Sequence, residues 1–356
     1  MTAALDLGSS EFRSLRREDQ RLVARRLAAI YTVLDDLPEV RRMLEHSHIP
    51  FSSVSESLIV VGDVAREVSQ LFSKPLVPLL RSGELGDQDP IARQVCAWMI
   101  HLLLPMNEQP NEFCVMTLPG GEIPAPGTAN RTVQFLEHVV QLQGYDTLVM
   151  HPATAISLAE LDDHGFTGIS LSVGAESVTF SLTRHSVPVI ESRFNKGSDE
   201  IIQRFAHAHR KYIWDAAGNS YLDLPGVLQW LQDWQVSVGS PATAEEKWFR
   251  NAYEELLLSM WFSLKRKVAN CHESILKSPL PIVLSGAATQ LGGFTDLVAE
   301  SLQLSGIPIR ASEIRVATYE PFTVARGLLI HGELAHGTTT PTKLTTDLAI
   351  EKVGAV

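Results

Sequence analysis

The sequence predicts an α/β protein built from two similar halves with a cleft between them. Three observations point there. Short apolar runs alternate with segments of helical period along most of the 356 residues. A strand that enters a small-residue turn recurs near residues 6–10, 173–177 and 285–288. A chain of this length, 45% hydrophobic and 20% charged, can also bury two ordinary cores.

Taken in order, Ala3-Ala4-Leu5-Asp6-Leu7-Gly8-Ser9-Ser10 is a short apolar strand entering a turn. Residues 15–46 read as helical, because Leu22, Val23, Leu27, Ile30, Tyr31 and Leu34 recur near a 3.6 period, with Pro38 dividing them. A strand at 58–61 and a helix at 64–72 follow. Residues 90–104 fit a core helix with Pro90 in its first turn. Residues 113–118 form a strand that ends in loop-forming residues up to Gly127. Asn130 is placed to cap a helix that Gly144 closes. A strand at 147–150 and a helix at 152–161 end the first round.

The second round begins with a strand at 169–173 and the turn Gly174-Ala175-Glu176-Ser177, then hairpin partners at 178–182 and 187–192. Gly197 precedes a helix over 199–213. Residues 214–241 give only turns, around Gly218 and Gly226. A long amphipathic helical zone covers 244–275, a strand 281–285, a helix 294–302, a short strand 307–310 and a closing helix 321–329. The stretch from Gly337 reads as a linker leading to a short helix at 344–352. Tryptophans 230, 234, 248 and 261 sit at spacings that favour core packing.

Composition narrows the functional classes. The net charge is −11, with 41 acidic against 30 basic residues, which disfavours nucleic acid and anionic lipid as partners. The three cysteines show no metal-ligand spacing and read as reduced core thiols. The first residues lack a basic region followed by an apolar run, so no signal peptide is expected. The most apolar stretch, 95–104, is too short to cross a bilayer, so no transmembrane segment is expected.

Phosphate binding needs backbone N–H groups directed into a concave space, and glycine, alanine and serine permit that approach. Asp6 beside Gly8-Ser9-Ser10 has this grammar, with the acid placed to hold a hydrated Mg2+ through its water shell. Such turns are also common as plain structure. In the second turn, Glu176 would repel a phosphate that it faced. Gly286-Ala287-Ala288-Thr289-Gln290-Leu291-Gly292-Gly293 would let a base or ribose approach the backbone. No Walker spacing, dinucleotide fingerprint or nucleophile elbow is present. Asp162-Asp163-His164 reads as a solvated turn, and no acid/base carboxylate pair stands out.

Together, Ala4–Ser10, Leu171–Ser177 and Ile282–Phe294 resemble the two phosphate motifs and the adenosine motif of the actin-like/Hsp70 nucleotide-binding superfamily. Val61-Gly62-Asp63-Val64-Ala65 and Pro321-Phe322-Thr323-Val324-Ala325-Arg326-Gly327 are similar to segments of its bacterial MreB branch. The resemblance implies a two-lobed actin-like (ribonuclease H-like) fold with ATP and Mg2+ in an interlobe cleft. The lobes would be 1–150, with an atypical helical segment at 15–46, and 151–336, with a shortened outer subdomain, followed by a tail at 337–356. It also implies a cytoplasmic protein that forms homo-oligomers or filaments and meets other cytoplasmic proteins.

Residue by residue, the resemblance gives Asp6 the metal-organising role and Gly8, Ser9 and Ser10 the first phosphate turn. Gly174 and Ala175 fall in the second turn. Gly286 and Ala287 face the nucleotide, Gly197 lies near the ribose, and Glu245 or Glu246 supplies an acidic ribose or base contact. The departures are Ser172 where the family carries aspartate, His151 where it carries a water-positioning acid or amide, and Glu176 in a glycine position. Phosphoryl transfer depends on alignment and charge placement, so these changes favour a divergent scaffold with weak or absent ATP hydrolysis. Two alternatives stay open: an active Hsp70-like or filament-forming ATPase with relocated catalytic groups, and a small-molecule kinase.

Overall fold

The computed structural model describes residues 2–18, 21–80, 84–86, 90–107, 112–119, 130–214, 218–233, 235–271, 273–335 and 348–350. The chain divides into a first unit, Met1–His151 with Val324–Val356, and a second, Pro152–Thr323. The first unit therefore includes the closing helix that the sequence assigned to 151–336.

The first unit opens with β1 (Ala3–Leu7), β2 (Glu11–Glu18), β3 (Arg21–Ala28) and β4 (Ile30–Asp35), then α1 (Pro38–His46). Next come β5 (Ser52–Val54), β6 (Ser57–Val61), α2 (Val64–Leu71), β7 (Leu76–Pro78), α3 (Pro90–Leu103), β8 (Phe113–Met116), α4 (Arg131–Leu142) and β9 (Asp146–Val149). The second unit holds α5 (Pro152–Glu160), β10 (Gly168–Val173), β11 (Val178–Arg184), β12 (Val187–Phe194) and α6 (Ser198–Ala208). It continues with β13 (Tyr212–Trp214), β14 (Ser220–Leu222), α7 (Leu224–Asp233), α8 (Ala244–Ala269), α9 (Glu273–Leu276), β15 (Leu280–Ser285), α10 (Phe294–Ser305) and β16 (Ala311–Val316). The first unit is completed by α11 (Thr323–Ala335) and β17 (Leu348–Ile350).

The helical reading of 15–46 is overturned: only Pro38–His46 is a helix, and the preceding residues form strands. The cause is burial on both faces of β2 and β3. The Ser14 hydroxyl and the Arg25 guanidinium donate to the Leu103 and Leu102 carbonyls of α3, while Arg17 pairs with Glu333 of α11. A strand covered on both sides loses its period-2 alternation, and arginines whose stems lie under helices imitate an amphipathic pattern. Three smaller corrections follow. Gly226 lies inside α7, the end of the expected helix 199–213 is β13, and the short strand expected at 307–310 occurs at Ala311–Val316. The helix expected at 344–352 is replaced at Leu348–Ile350 by a strand parallel to β3, and the rest of that stretch lies outside the described residues, as do the expected loop at 120–127 and Trp234.

The large sheets share one plan. The first runs β17-β3-β2-β1-β8-β9 and the second β12-β11-β10-β15-β16. Leaving β17 aside, each has three antiparallel strands followed by two parallel ones. The first unit adds a four-stranded sheet, β5-β6-β4-β7.

The second sheet has two unlike faces. Ile169, Leu171, Val173, Phe180 and Leu182 are buried in one core with residues of α6, α8 and α10, where Phe180 meets Trp261 edge-on at 6.3 Å. The opposite face carries Ser170, Ser181 and Glu191 and is covered by α5 through polar contacts. Thr154 bonds to Ser181 and Glu191, and Ser157 to Ser170 at 2.6 Å. One helical turn on, Glu160 accepts from Arg315 Nη1 at 2.6 Å, Thr318 N at 2.8 Å and Thr318 Oγ1 at 3.2 Å. Its side chain is 2% exposed. Removing one partner of a buried, fully bonded pair leaves the others unsatisfied. Glu160→Ala is therefore expected to lower unfolding free energy by about 3 kcal/mol, the low end for such pairs because Arg315 is partly solvated. Urea denaturation checks this, and adding Arg315→Met to Glu160→Ala is expected to recover part of the loss.

Candidate functional site

In the first unit, β1 carries Asp6 into the turn Gly8-Ser9-Ser10. A Cβ at Gly8 would lie 2.8 Å from the Glu11 carbonyl oxygen, so the turn closes on a bare α-carbon. The Ser10 carbonyl accepts from Ala29 N at 2.9 Å, which ties the turn to the start of β4. Asp6 is buried. Its Oδ1 accepts from Thr117 Oγ1 at 3.0 Å, and that hydroxyl accepts from Leu7 N at 2.8 Å. Its Oδ2 faces Arg13 Nη1 at 3.3 Å, an ion pair set by the cross-strand register Asp6↔Arg13. Burial raises the Asp6 pKa, against the opposing pull of Arg13 and the Thr117 hydrogen bond. Sequence reasoning missed Arg13 and Thr117. Arg13 could have been found by folding the chain back at Gly8–Ser10, which sets it opposite Asp6.

In the second unit, three predicted residues converge. Gly174 N donates to the Ser177 carbonyl at 3.0 Å, closing the β10–β11 turn. Gly197 is the N-cap of α6; Ser198 N and Asp199 N donate to the Gly174 and Ala175 carbonyls at 3.0 and 2.8 Å. A Cβ on Gly197 would sit 2.3 Å from the Ala175 carbonyl oxygen. Gly286 has φ +108°, and a Cβ there would sit 2.3 Å from the Val173 carbonyl oxygen. The turn 174–177, the start of α6 and the end of β15 thus meet backbone to backbone. Gly286 N donates to Glu320 Oε1 at 3.1 Å, and Ala287, itself exposed, opens the 3-10 turn Ala287–Gln290, whose Ala288 and Thr289 are buried.

Glu246 reaches this region indirectly. Its Oε1 accepts from Ser237 N at 3.1 Å and its Oε2 from Ala242 N and Thr243 N at 2.7 and 3.0 Å, as the acidic member of the α8 capping box. These backbone donors hold its pKa below the ordinary value. The capped segment runs alongside the adenosine-like motif: Val238 N and Gly239 N both donate to the Gly292 carbonyl, at 2.8 and 3.0 Å. Of the departures, Ser172 lies on β10 between Thr179 and Ser285, Glu176 is half-buried in the turn, and His151 is buried after β9. Asp162–His164 is an exposed 3-10 turn whose histidine meets Glu313. Cys96 and Cys114 are buried, and desolvation pushes the Cys96 thiol up to about 12.

Asp6 yields one expectation before any ligand is considered. Its folded-state pKa lies above the ordinary 3.8, so its contribution to stability is fully present below that value and lost as pH rises through the folded value. Asp6→Asn is therefore expected to raise the urea midpoint at neutral pH, with the gap to the wild type closing as the pH falls towards 3.8.

Comparison with known proteins adds the following. The family model described as Volactin matches residues 1–332. No curated protein matches the chain. Among solved structures, the MamK double helical filament aligns with TM-score 0.65 at 17% identity, covering 94% of this chain and 99% of that one. MreB 5 of Spiroplasma citri bound to AMPPNP aligns with TM-score 0.64 at 10% identity, covering 95% and 97%. A non-polymerising MamK mutant bound to AMPPNP aligns with TM-score 0.57 at 18% identity, covering 93% and 98%. The fold is thus the actin-like α/β fold. Among the described residues no helix is long and apolar enough to cross a membrane.

Proposed function

We propose that this chain, which belongs to the Volactin family, is an actin-like cytoplasmic scaffold protein that binds ATP with Mg2+, assembles into homopolymeric filaments and hydrolyses nucleotide slowly or not at all. The observation that carries this reading is the meeting of Gly174, Gly197 and Gly286 at the end of β10, where side chains at Gly197 and Gly286 would collide with main-chain carbonyls. These glycines let the turn 174–177, the start of α6 and the end of β15 pack main chain to main chain, the region to which the resemblance assigns a polyphosphate, with the N–H groups of Gly174, Ser198, Asp199 and Gly286 already bonded within the protein.

Mg2+ keeps several waters and takes one or two carboxylates together with phosphate oxygens, so Asp6 fits it without a protein cage. Among the described residues, no three His, Cys, Asp or Glu gather as a ligand set. Ser172 offers a neutral hydroxyl where the resemblance places a carboxylate. His151 replaces the acid or amide that would orient the attacking water. Both changes weaken placement of charge and nucleophile, the two terms on which phosphoryl transfer rests. Filament assembly draws support from the likeness in fold to the MamK filament, and nucleotide binding from the likeness to MreB 5 bound to AMPPNP.

Sedimentation and negative-stain microscopy with Mg-ATP or Mg-AMPPNP, alongside phosphate release, test the reading. Filaments are expected with either nucleotide, with release lagging far behind assembly. Scattered monomers at every protein concentration would overturn assembly, and turnover keeping pace with assembly would overturn slow hydrolysis. Gly197→Ala is expected to abolish AMPPNP-dependent sedimentation, because its Cβ must displace the Ala175 carbonyl.

A further inference from the structure

The polar face of the second sheet ends in a row that neither the fold nor the meeting of these glycines explains. Cross-strand register aligns Arg193 of β12, Thr179 of β11, Ser172 of β10 and Ser285 of β15. Glu191, Ser181 and Ser170 form the preceding row on the same face, where α5 bonds to them. The Arg193 row is the last on this face before the turn Gly174–Ser177, and Gly197 follows Arg193 by four residues. Neighbouring Cβ atoms along such a row lie about 4.5–5.5 Å apart.

Two side-chain atoms in this row, on Thr179 and Arg193, lack hydrogen-bond partners among the described residues. Thr179 is 4% exposed, and its Oγ1 has no hydrogen-bond partner. Arg193 is half-buried; its Nε is shut off from solvent without an acceptor, and its guanidinium forms no ion pair among the described residues. The acid of the preceding row, Glu191, accepts from Thr154, and no ion pair joins it to Arg193 among the described residues. An enclosed guanidinium N–H without an acceptor is costly, as is a buried hydroxyl without a partner. The face is organised everywhere else: Thr154, Ser157, Ser170 and Ser181 are all bonded. The two orphaned donors stand side by side in the row before the turn Gly174–Ser177.

We propose that Arg193, Thr179 and Ser172 form an oxyanion subsite. It would take the terminal phosphate of a nucleotide, or free inorganic phosphate, directly and without a metal ion bridging that phosphate to the second unit. Arg193 supplies charge-assisted N–H donors and Thr179 a hydroxyl donor. Ser172 supplies a second hydroxyl, and its neutrality matters as much, because a carboxylate there would repel an anion not screened by metal. The choice of a nucleotide as the source of the phosphate rests on the function proposed above; the oxyanion chemistry does not.

Isothermal titration of the full chain with ATP, ADP and inorganic phosphate, each with Mg2+ or with EDTA, tests this. Wild-type protein is expected to bind ATP and phosphate in EDTA. Arg193→Gln is expected to weaken both by about tenfold or more, the loss expected for a hydrogen bond to a charged group, while ADP changes little. Arg193→Lys is expected to retain part of the affinity. Thr179→Val, close in shape, is expected to weaken the same two ligands and serves if Arg193→Gln does not fold. Arginine-dependent phosphate binding without any nucleotide binding would uphold the subsite and overturn the nucleotide reading. Unchanged ATP affinity in folded Arg193→Gln and Thr179→Val, or ATP binding that requires Mg2+, would overturn the subsite and leave the nucleotide reading standing. Absence of all binding would overturn both.

Discussion

The close approach of main chain to main chain at Val173, Gly174 and Ala175 is the constraint on which the second unit depends. Three carbonyl groups at the end of one strand fix the neighbouring segments. The Val173 carbonyl touches the α-carbon of Gly286, while those of Gly174 and Ala175 receive the first N–H groups of α6. The first N–H groups of any helix need partners outside it, and here a strand end provides them. The direction of α6, the exit of β15 and the shape of the turn are therefore one decision. Glycine at 197 and 286 is what lets it be made, since a Cβ at either would fall 2.3 Å from an oxygen.

The other face of the same sheet is governed by polarity rather than volume. Thr154, Ser157 and Glu160 recur every third residue along α5, and each finds a polar partner below, at Ser181, Ser170 and Arg315. An apolar helix could slide on an apolar sheet with little penalty. A helix held by paired hydroxyls and a bonded carboxylate has one register, because a shift would strand buried polar atoms. The apolar core on the opposite side supplies most of the burial, with Trp261, Phe249 and Phe205 wholly or almost wholly enclosed. Stability and placement thus come from different faces, and the face that handles placement is the one that carries Ser172, Thr179 and Arg193.

What the sequence conveyed follows from this division. The hairpin of β11 and β12 and the N-cap at Asn130, whose side chain accepts from Thr132 N and Val133 N, were readable because local chemistry decides them. The meander β2–β3 was not, since its residues are buried by α3 and α11, which are distant in sequence. Turn residues such as Gly8 and Gly174 announce themselves by size. Arg13 becomes visible only once strand register sets it against Asp6, and Thr179 and Arg193 only once two registers set them beside Ser172. A serine at 172 looked like the loss of an acid. The row around it shows a neutral position next to a cation, a different charge pattern rather than an empty one.

The two units handle charge in opposite ways, and both ways weaken the ligand-free fold. The first buries an acid, Asp6, whose ionised form is disfavoured by desolvation and only partly relieved by Arg13 at 3.3 Å. The second half-buries a cation, Arg193, whose Nε is enclosed without an acceptor and which forms no ion pair among the described residues. Neither placement arises from packing, because a neutral side chain of similar volume would fill each position with less penalty. Groups held ready in a poorly solvated setting lower stability in exchange for strong interaction when a counter-charge arrives, and binding to the folded state alone then restores stability by mass action. A hydrated cation relieves the acid, and an oxyanion relieves the guanidinium.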